Sequence, residues 1–307
     1  MTSAGAVELV QLGESGLRAS RVGLGCNNFG GRVDLDGTRS VVDAALDVGV
    51  TFFDTAETYG NGDSERFLGE VLDGRRDQVV LATKFGWGRE AGDGSAERIR
   101  GTIDGSLERL RTDYVDLYYQ HKPDPGTPIA ETLDALDELV REGKVRAIGC
   151  SNFSAEQLAE ADRVARELGT ARFTVLQNNY SLLVRGDDEA VLPLCRELGI
   201  SYIPYFPLAS GLLTGKYRRG EPAPEGTRLA GREIDDDRFG RVEAFTTFAK
   251  ERGHSLHELA ICALASTPGV GSIIAGATKP EQVRANVAAA AASWRLTGDE
   301  LDTLSRL

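Results

Sequence analysis

The chain has 307 residues, 41% of them hydrophobic and 27% charged, the balance of an ordinary globular protein with a buried core. Its formal charge of −12 excludes general binding to nucleic acid or to an anionic membrane surface, since both need cations that displace counterions. No run reaches the ~18 apolar residues of a membrane span, and the opening MTSAGAVELVQLGESG carries no basic-then-apolar leader.

In chain order, the first feature is VELVQLGESGLRAS (7–20), whose GESG centre between alternating residues predicts a hairpin. Short β-branched runs then alternate with amphipathic segments. The strands are expected at 21–25, 51–55, 78–84, 113–121, 144–151, 173–178, 200–206 and 270–276. Helices are expected at 38–49, 64–72, 96–110, 131–143, 155–168, 189–198, 239–265 and 280–291. In the 131–143 segment Leu133, Leu136, Leu139 and Val140 recur at helical spacing, with charges on the other face. The strands read as nearly continuous apolar runs, as in a parallel sheet buried on both faces. Eight βα units predict an α/β fold, a (β/α)8 TIM barrel forming one domain over 1–307, with the hairpin capping its bottom. The longest irregular stretch, 207–237, follows the seventh unit and is long enough to be functional.

The glycine pair in GLGCNNFG (23–30) suggests a dinucleotide fingerprint, but Asn28 stands where its third glycine belongs. A tight turn after the first strand is the better reading, with Asn27, Asn28 and Phe29 near the pocket. Cys26, Cys150, Cys195 and Cys262 are too scattered for a zinc site or disulfide framework, so a reduced, cytoplasmic protein is expected. His254 and His257 form HSLH rather than HExxH and are expected on a surface helix, so no metal is assigned.

Catalysis in such barrels sits where strands end. Asp54 closes TFF, Tyr59 follows in a glycine-rich turn, Lys84 closes VVLAT and His121 closes DLYYQ. Singly, each has a structural explanation: a cap, a packed ring, a snorkelling amine, a core imidazole. Together they fit carbonyl reduction, which needs a proton donor beside the oxygen that gains charge. A free tyrosine titrates near ~10, and a neighbouring cation lowers that value. Lys84 can be the cation, Asp54 its counter-charge, and His121 the hydrogen-bond donor that orients the carbonyl.

FFDTAETYGNGDSERFLGEVL, VVLATKFG and DLYYQHKPDP resemble the signatures of the aldo-keto reductase superfamily, and the similarity spans nearly the whole chain. The resemblance implies a catalytic tetrad of Asp54, Tyr59, Lys84 and His121, with Tyr59 as general acid in reduction and tyrosinate base in oxidation. It implies that Ser151, Asn152 and Gln177 hold the nicotinamide carboxamide and that Tyr205 stacks on the ring. It further implies that PLASGLLTGK covers the pyrophosphate with amides near Leu208, Ser210 and Leu212. Gly276, Thr278, Lys279, Gln282 and Asn286 would meet the adenosine phosphate. Gln282 replaces a common arginine and Ala285 a common acid, while Thr278 and Lys279 remain, so NADPH (NADP+) is expected and NADH is possible. Phe29 and Trp87 are expected to flank a pocket for small aldehydes and ketones, sugar-derived ketones included. A monomer is expected. The competing readings are an NAD-linked sugar dehydrogenase and a cofactor-binding regulatory subunit, like the potassium-channel β subunits that resemble the same family.

Overall fold

The computed structural model describes residues 7–87, 92–292 and 294–307. The reading of the first six residues and of Gly88 in KFGWG lies outside them. The predicted hairpin forms as β1 (Leu9–Gln11) and β2 (Arg18–Ser20), paired antiparallel with Val10 opposite Ala19. Its turn is pressed against the barrel floor: a Cβ on Gly13, where φ is +55°, would lie 2.1 Å from the Thr174 carbonyl oxygen. Only glycine fits both that conformation and that approach.

Eight parallel strands follow: β3 (Val22–Gly25), β4 (Phe52–Asp54), β5 (Val80–Phe85), β6 (Val115–Gln120), β7 (Val145–Ser151), β8 (Phe173–Asn179), β9 (Ser201–Tyr205) and β10 (Ile273–Gly276). Each pairs with the next, and β10 pairs with β3, closing the barrel. Strand residues alternate between two apolar cores. Phe52, Ala82, Leu117, Tyr119, Ala147, Val175, Ile203 and Ile274 fill the lumen, and Val10, Leu12 and Ala19 of the hairpin join them. The out-of-phase Phe53, Leu81, Tyr118, Ile148 and Leu176 pack instead in the shell beneath the helices.

Helices α1 (Leu35–Asp47), α2 (Asp63–Val71), α3 (Ala96–Leu110), α4 (Ile129–Arg141), α5 (Ala155–Leu168) and α6 (Val191–Leu198) follow successive strands, as the sequence predicts. In α4 the expected leucines are buried and Val140 is half-buried. The single helix expected over 239–265 is two, α7 (Asp236–Glu251) and α8 (Leu256–Ser266). Gly253 enters the left-handed region, and Ser255 restarts the chain with a capping box to Glu258. Such a cap stabilises by ~1 kcal/mol. With Leu256 and Leu259 through Leu264 buried, α8 is not the surface helix expected of HSLH, although His257 itself is half-buried. After α9 (Pro280–Ala290), an unanticipated α10 (Gly298–Arg306) starts from the Thr297–Glu300 capping box. No helix among the described residues is long and apolar enough to cross a membrane.

Candidate active site

Strand alternation explains why polar residues collect at one end of an otherwise apolar lumen. Asp54 continues the inward phase of Phe52, Lys84 that of Ala82, and His121 that of Leu117 and Tyr119. Ser151, Gln177 and Tyr205 are likewise in phase with Ala147, Val175 and Ile203. Each lies within the last three residues of its strand or just beyond it. Tyr59 comes from the β4–α2 loop, where Gly60 presses on the loop after β3: a Cβ there would lie 2.7 Å from the Phe29 carbonyl oxygen. Phe29 is wholly buried in the outer core, so it supports the Tyr59 loop from behind instead of standing open at the mouth.

Lys84 Nζ, fully buried, donates to Asp54 Oδ2 at 2.5 Å and to the Thr55 carbonyl at 2.8 Å. It lies 5.1 Å from the centroid of the Tyr59 ring and 5.6 Å from that of Tyr119. Burial works against the ammonium, but Asp54, and then Tyr59, outweigh it, so Lys84 titrates above an ordinary lysine and stays charged. For Tyr59 the balance goes the other way from the simple expectation. Burial raises its hydroxyl, Lys84 opposes that, and Asp54 partly cancels Lys84; the net direction is upward. The phenol therefore stays protonated throughout the neutral range. His121 is driven down to about 2, first by burial and then by the like charges of Lys84 and Lys122, so its imidazole is neutral. Its Nδ1 is buried with no protein partner. The Tyr59 and Trp87 rings meet the His121 ring edge-on, at 5.9 and 4.3 Å between centroids.

Across the mouth, Asn152 adopts φ +61° and bridges three strand ends. Its Nδ2 donates to the His121 carbonyl at 2.9 Å and to Ser151 Oγ at 3.0 Å, while its Oδ1 accepts from the Tyr205 hydroxyl at 2.7 Å. Gln177 donates to Asp54 Oδ1 at 2.9 Å, which leaves the second carboxylate oxygen to Lys84. Beyond β9 the chain turns through Phe206, Ala209 and Ser210, all with positive φ. The amides of Leu208 and Ser210 have no protein acceptor among the described residues, whereas the Leu212 side chain is buried in a separate core with α7 and α8. The strap that follows reaches back over the mouth. Arg228 donates to Asn28 Oδ1 at 2.8 Å, and Arg32 donates to the Gly226 carbonyl at 2.7 Å.

Residues 21–307 match the Aldo/keto reductase family. The chain belongs to that family. It is 38% identical to "Probable voltage-gated potassium channel subunit beta" of Oryza sativa subsp. japonica, over 95% of this chain and 94% of that one. It is also 38% identical to "Aldo-keto reductase YhdN" of Bacillus subtilis (strain 168), over 91% of this chain and 87% of the relative. Identity to "L-glyceraldehyde 3-phosphate reductase" of Escherichia coli (strain K12) is 33%, over 90% and 86%.

Aldo/keto reductases as a family use a nicotinamide cofactor, and the residues of this one fit such a group. The free amides of Leu208 and Ser210, in a turn with several positive-φ residues, are donors of the kind that a pyrophosphate would need. At the N-terminus of α9, Gly276 and Lys279 are exposed, while the Thr278 amide is taken by Gln282 Oε1 at 2.7 Å. Asn286 departs from the expected group: it is buried, with Oδ1 2.9 Å from His257 Nε2. Sequence reasoning missed Lys122, whose ammonium lies 4.5 Å from the Trp87 ring centroid, and Arg228, hidden in a stretch with no periodicity. Adjacency to His121 was the available signal for Lys122; Arg228 had none. A roomy outer groove beside Arg66, Phe67, Arg109 and Arg111 is not part of the site, and each of its guanidinium groups faces a carboxylate.

Proposed function

We propose that this aldo/keto reductase reduces aldehydes and ketones to alcohols with NADPH, using Tyr59 as general acid. The observation that carries the reading is the buried Lys84–Asp54 pair beside a protonated Tyr59 and a neutral His121, all at the barrel mouth. The bound cofactor supplies hydride. Neutral His121 donates a hydrogen bond to the carbonyl oxygen and fixes its direction. Tyr59 gives that oxygen a proton as negative charge develops. The resulting tyrosinate is stabilised by the Lys84 ammonium, which Asp54 and the Thr55 carbonyl keep charged and in place. Ser151, Asn152 and Gln177 hold the carboxamide, with Gln177 offering its oxygen because its amide donates to Asp54. Tyr205 supports the ring, and the amides near Leu208, Ser210 and Leu212 meet the pyrophosphate. Gly276, Thr278, Lys279 and Gln282 form the adenosine end, while Asn286 is held away from it by His257. Lys279, exposed and without an ion-pair partner among the described residues, is a cation available to a 2′-phosphate in a chain of charge −12, which favours NADPH over NADH.

The rice and Arabidopsis relatives named as channel subunits favour a second reading, a cofactor-binding regulatory subunit. Chain length does not separate the two readings, because alignment covers 94% and 95% of those relatives. The complete tetrad speaks for turnover. A carbonyl panel followed by NADPH absorbance tests this: wild type consumes NADPH, and Tyr59→Phe binds it but loses turnover by roughly a hundredfold or more. Tight binding without turnover on any carbonyl would install the regulatory reading. A higher kcat/KM with NADH, in the oxidative direction on sugars, would install the sugar dehydrogenase. In the reductase reading the protein works as a cytoplasmic monomer on small-molecule carbonyls, in keeping with its four free, buried cysteines.

A further inference from the structure

The wall of the mouth beside His121 carries a charge that no protein group among the described residues answers. Lys122 follows His121 directly, is half-buried, and is anchored by its backbone N–H to the Gly86 carbonyl at 3.1 Å. Its ammonium lies over Trp87, whose ring is in turn against His121. The cation is therefore one indole away from the imidazole that faces the reacting carbonyl. A cation–π contact uses none of the three ammonium N–H donors, and Lys122 has no side-chain hydrogen bond or ion pair among the described residues. That is unusual in this molecule, where the partly buried Arg76, Arg109 and Arg172 all face carboxylates. The described acids of the loops after β4, β5 and β6 are otherwise engaged. Glu57 accepts from the Gly86 amide and faces Arg98, as does Asp93. Asp124 accepts from Gly92, Gly94, Gly126 and Thr127. Arg228, across the mouth, also has no carboxylate partner among the described residues, but its guanidinium is committed to Asn28 and lies over Phe206.

We propose that Lys122 is a specificity-determining cation that makes carbonyl compounds bearing a carboxylate or phosphate near the reacting carbon the preferred substrates. An anionic arm reaching past Trp87 gains a charge-assisted hydrogen bond at a site whose ammonium is already partly desolvated and positioned. A neutral substrate leaves that ammonium as it was. The surrounding chain is acidic, so the preference does not come from the global field, which repels anions; it is local to this wall.

The proposal rests on the reductase reading, and matched substrate pairs separate the two. With NADPH, kcat/KM is measured for 4-oxobutanoate against butanal and for glycolaldehyde phosphate against glycolaldehyde. The charged member of at least one pair is expected to win, and the pair in which it wins identifies carboxylate or phosphate as the anion. Lys122→Gln is expected to cost that charged member roughly ten- to a hundredfold, while its neutral counterpart loses far less. Lys122→Arg is expected to restore most of the difference, and added KCl to shrink it in wild type. Equal kcat/KM within both pairs, or equal losses of charged and neutral substrates in Lys122→Gln, would overturn the assignment while leaving the reductase intact. No turnover of any of the four would remove both.

Discussion

The Tyr205 hydroxyl donates to the side-chain oxygen of Asn152, joining the end of β9 to the residue that follows β7. Asn152 is held in a left-handed conformation, tolerable for asparagine but unfavourable without local ties. Its second tie, to the His121 carbonyl, extends the link to β6. Three strand ends thus share one amide side chain. Tyr205→Phe keeps the ring and removes the donor. NADPH affinity is expected to fall roughly two- to tenfold, read by fluorescence titration. Unchanged affinity would mean that the tie does not position the cofactor side of the mouth.

The Lys84–Asp54 pair makes separable predictions for stability and catalysis. Both partners are buried, so removing one leaves an uncompensated charge. Lys84→Met is expected to destabilise by about 3–5 kcal/mol and to abolish turnover. Adding Asp54→Asn should recover much of the stability by neutralising the orphaned carboxylate, with activity still absent. Denaturant unfolding of the two variants checks the first claim and NADPH consumption the second. A double variant no more stable than the single one would show that the pair is not the source of the loss.

His121 gives the fold an acid sensitivity whose sign follows from its depressed pKa. The unfolded imidazole takes up a proton near pH 6.5, whereas the folded one resists protonation down to about 2. Between these values the unfolded state binds the extra proton, so stability falls as pH falls. The slope from this one group approaches about 1.4 kcal/mol per pH unit below 6. His121→Gln should flatten the curve between pH 6 and 4 by that amount, measured by urea midpoints at each pH. A parallel curve in the variant would mean that His121 is protonated in the native state.

The barrel was legible because each strand is a short apolar run buried on both faces, followed by a helix with one apolar stripe. The meeting of Asp54, Lys84 and His121 at one end of the lumen was legible for a related reason: a charged or titratable residue terminating an apolar strand is conspicuous. The break between α7 and α8 was harder, since Phe245, Phe248, Leu256 and Leu259 carry apolar character across it. The Ser255–Glu258 capping box was the local signal that outranked that continuity. The direction of the Tyr59 shift was not legible at all. It depends on how completely the loop around Gly60 encloses the ring and on how much of the Lys84 field Asp54 cancels, which are properties of packing. Arg228 and Asn28 are 200 residues apart, and no periodicity links them.

That pair, with Arg32 and Gly226, forms a reciprocal latch: each side contributes one guanidinium to an acceptor on the other. The latch closes the strap over the loop after β3. It also gathers like charges, since Arg32 and Arg232 lie near enough to Arg228 to depress its pKa, after burial. Two donors therefore hold the strap down against the repulsion of the cations they bring together. Arg228→Met retains an apolar side chain that can rest on Phe206 but loses the bond to Asn28. At about 0.5–1.5 kcal/mol for such a bond, the open strap population should rise roughly two- to tenfold. Limited proteolysis within 217–235 is expected to accelerate by the same factor, because cleavage follows the open fraction when reclosing is fast. Raising the salt concentration should weaken the repulsion and slow wild-type cleavage slightly. Arg228→Met cleaved at the wild-type rate would show that the strap is held by the α7 side alone, through Arg219 with Asp236 and Glu243.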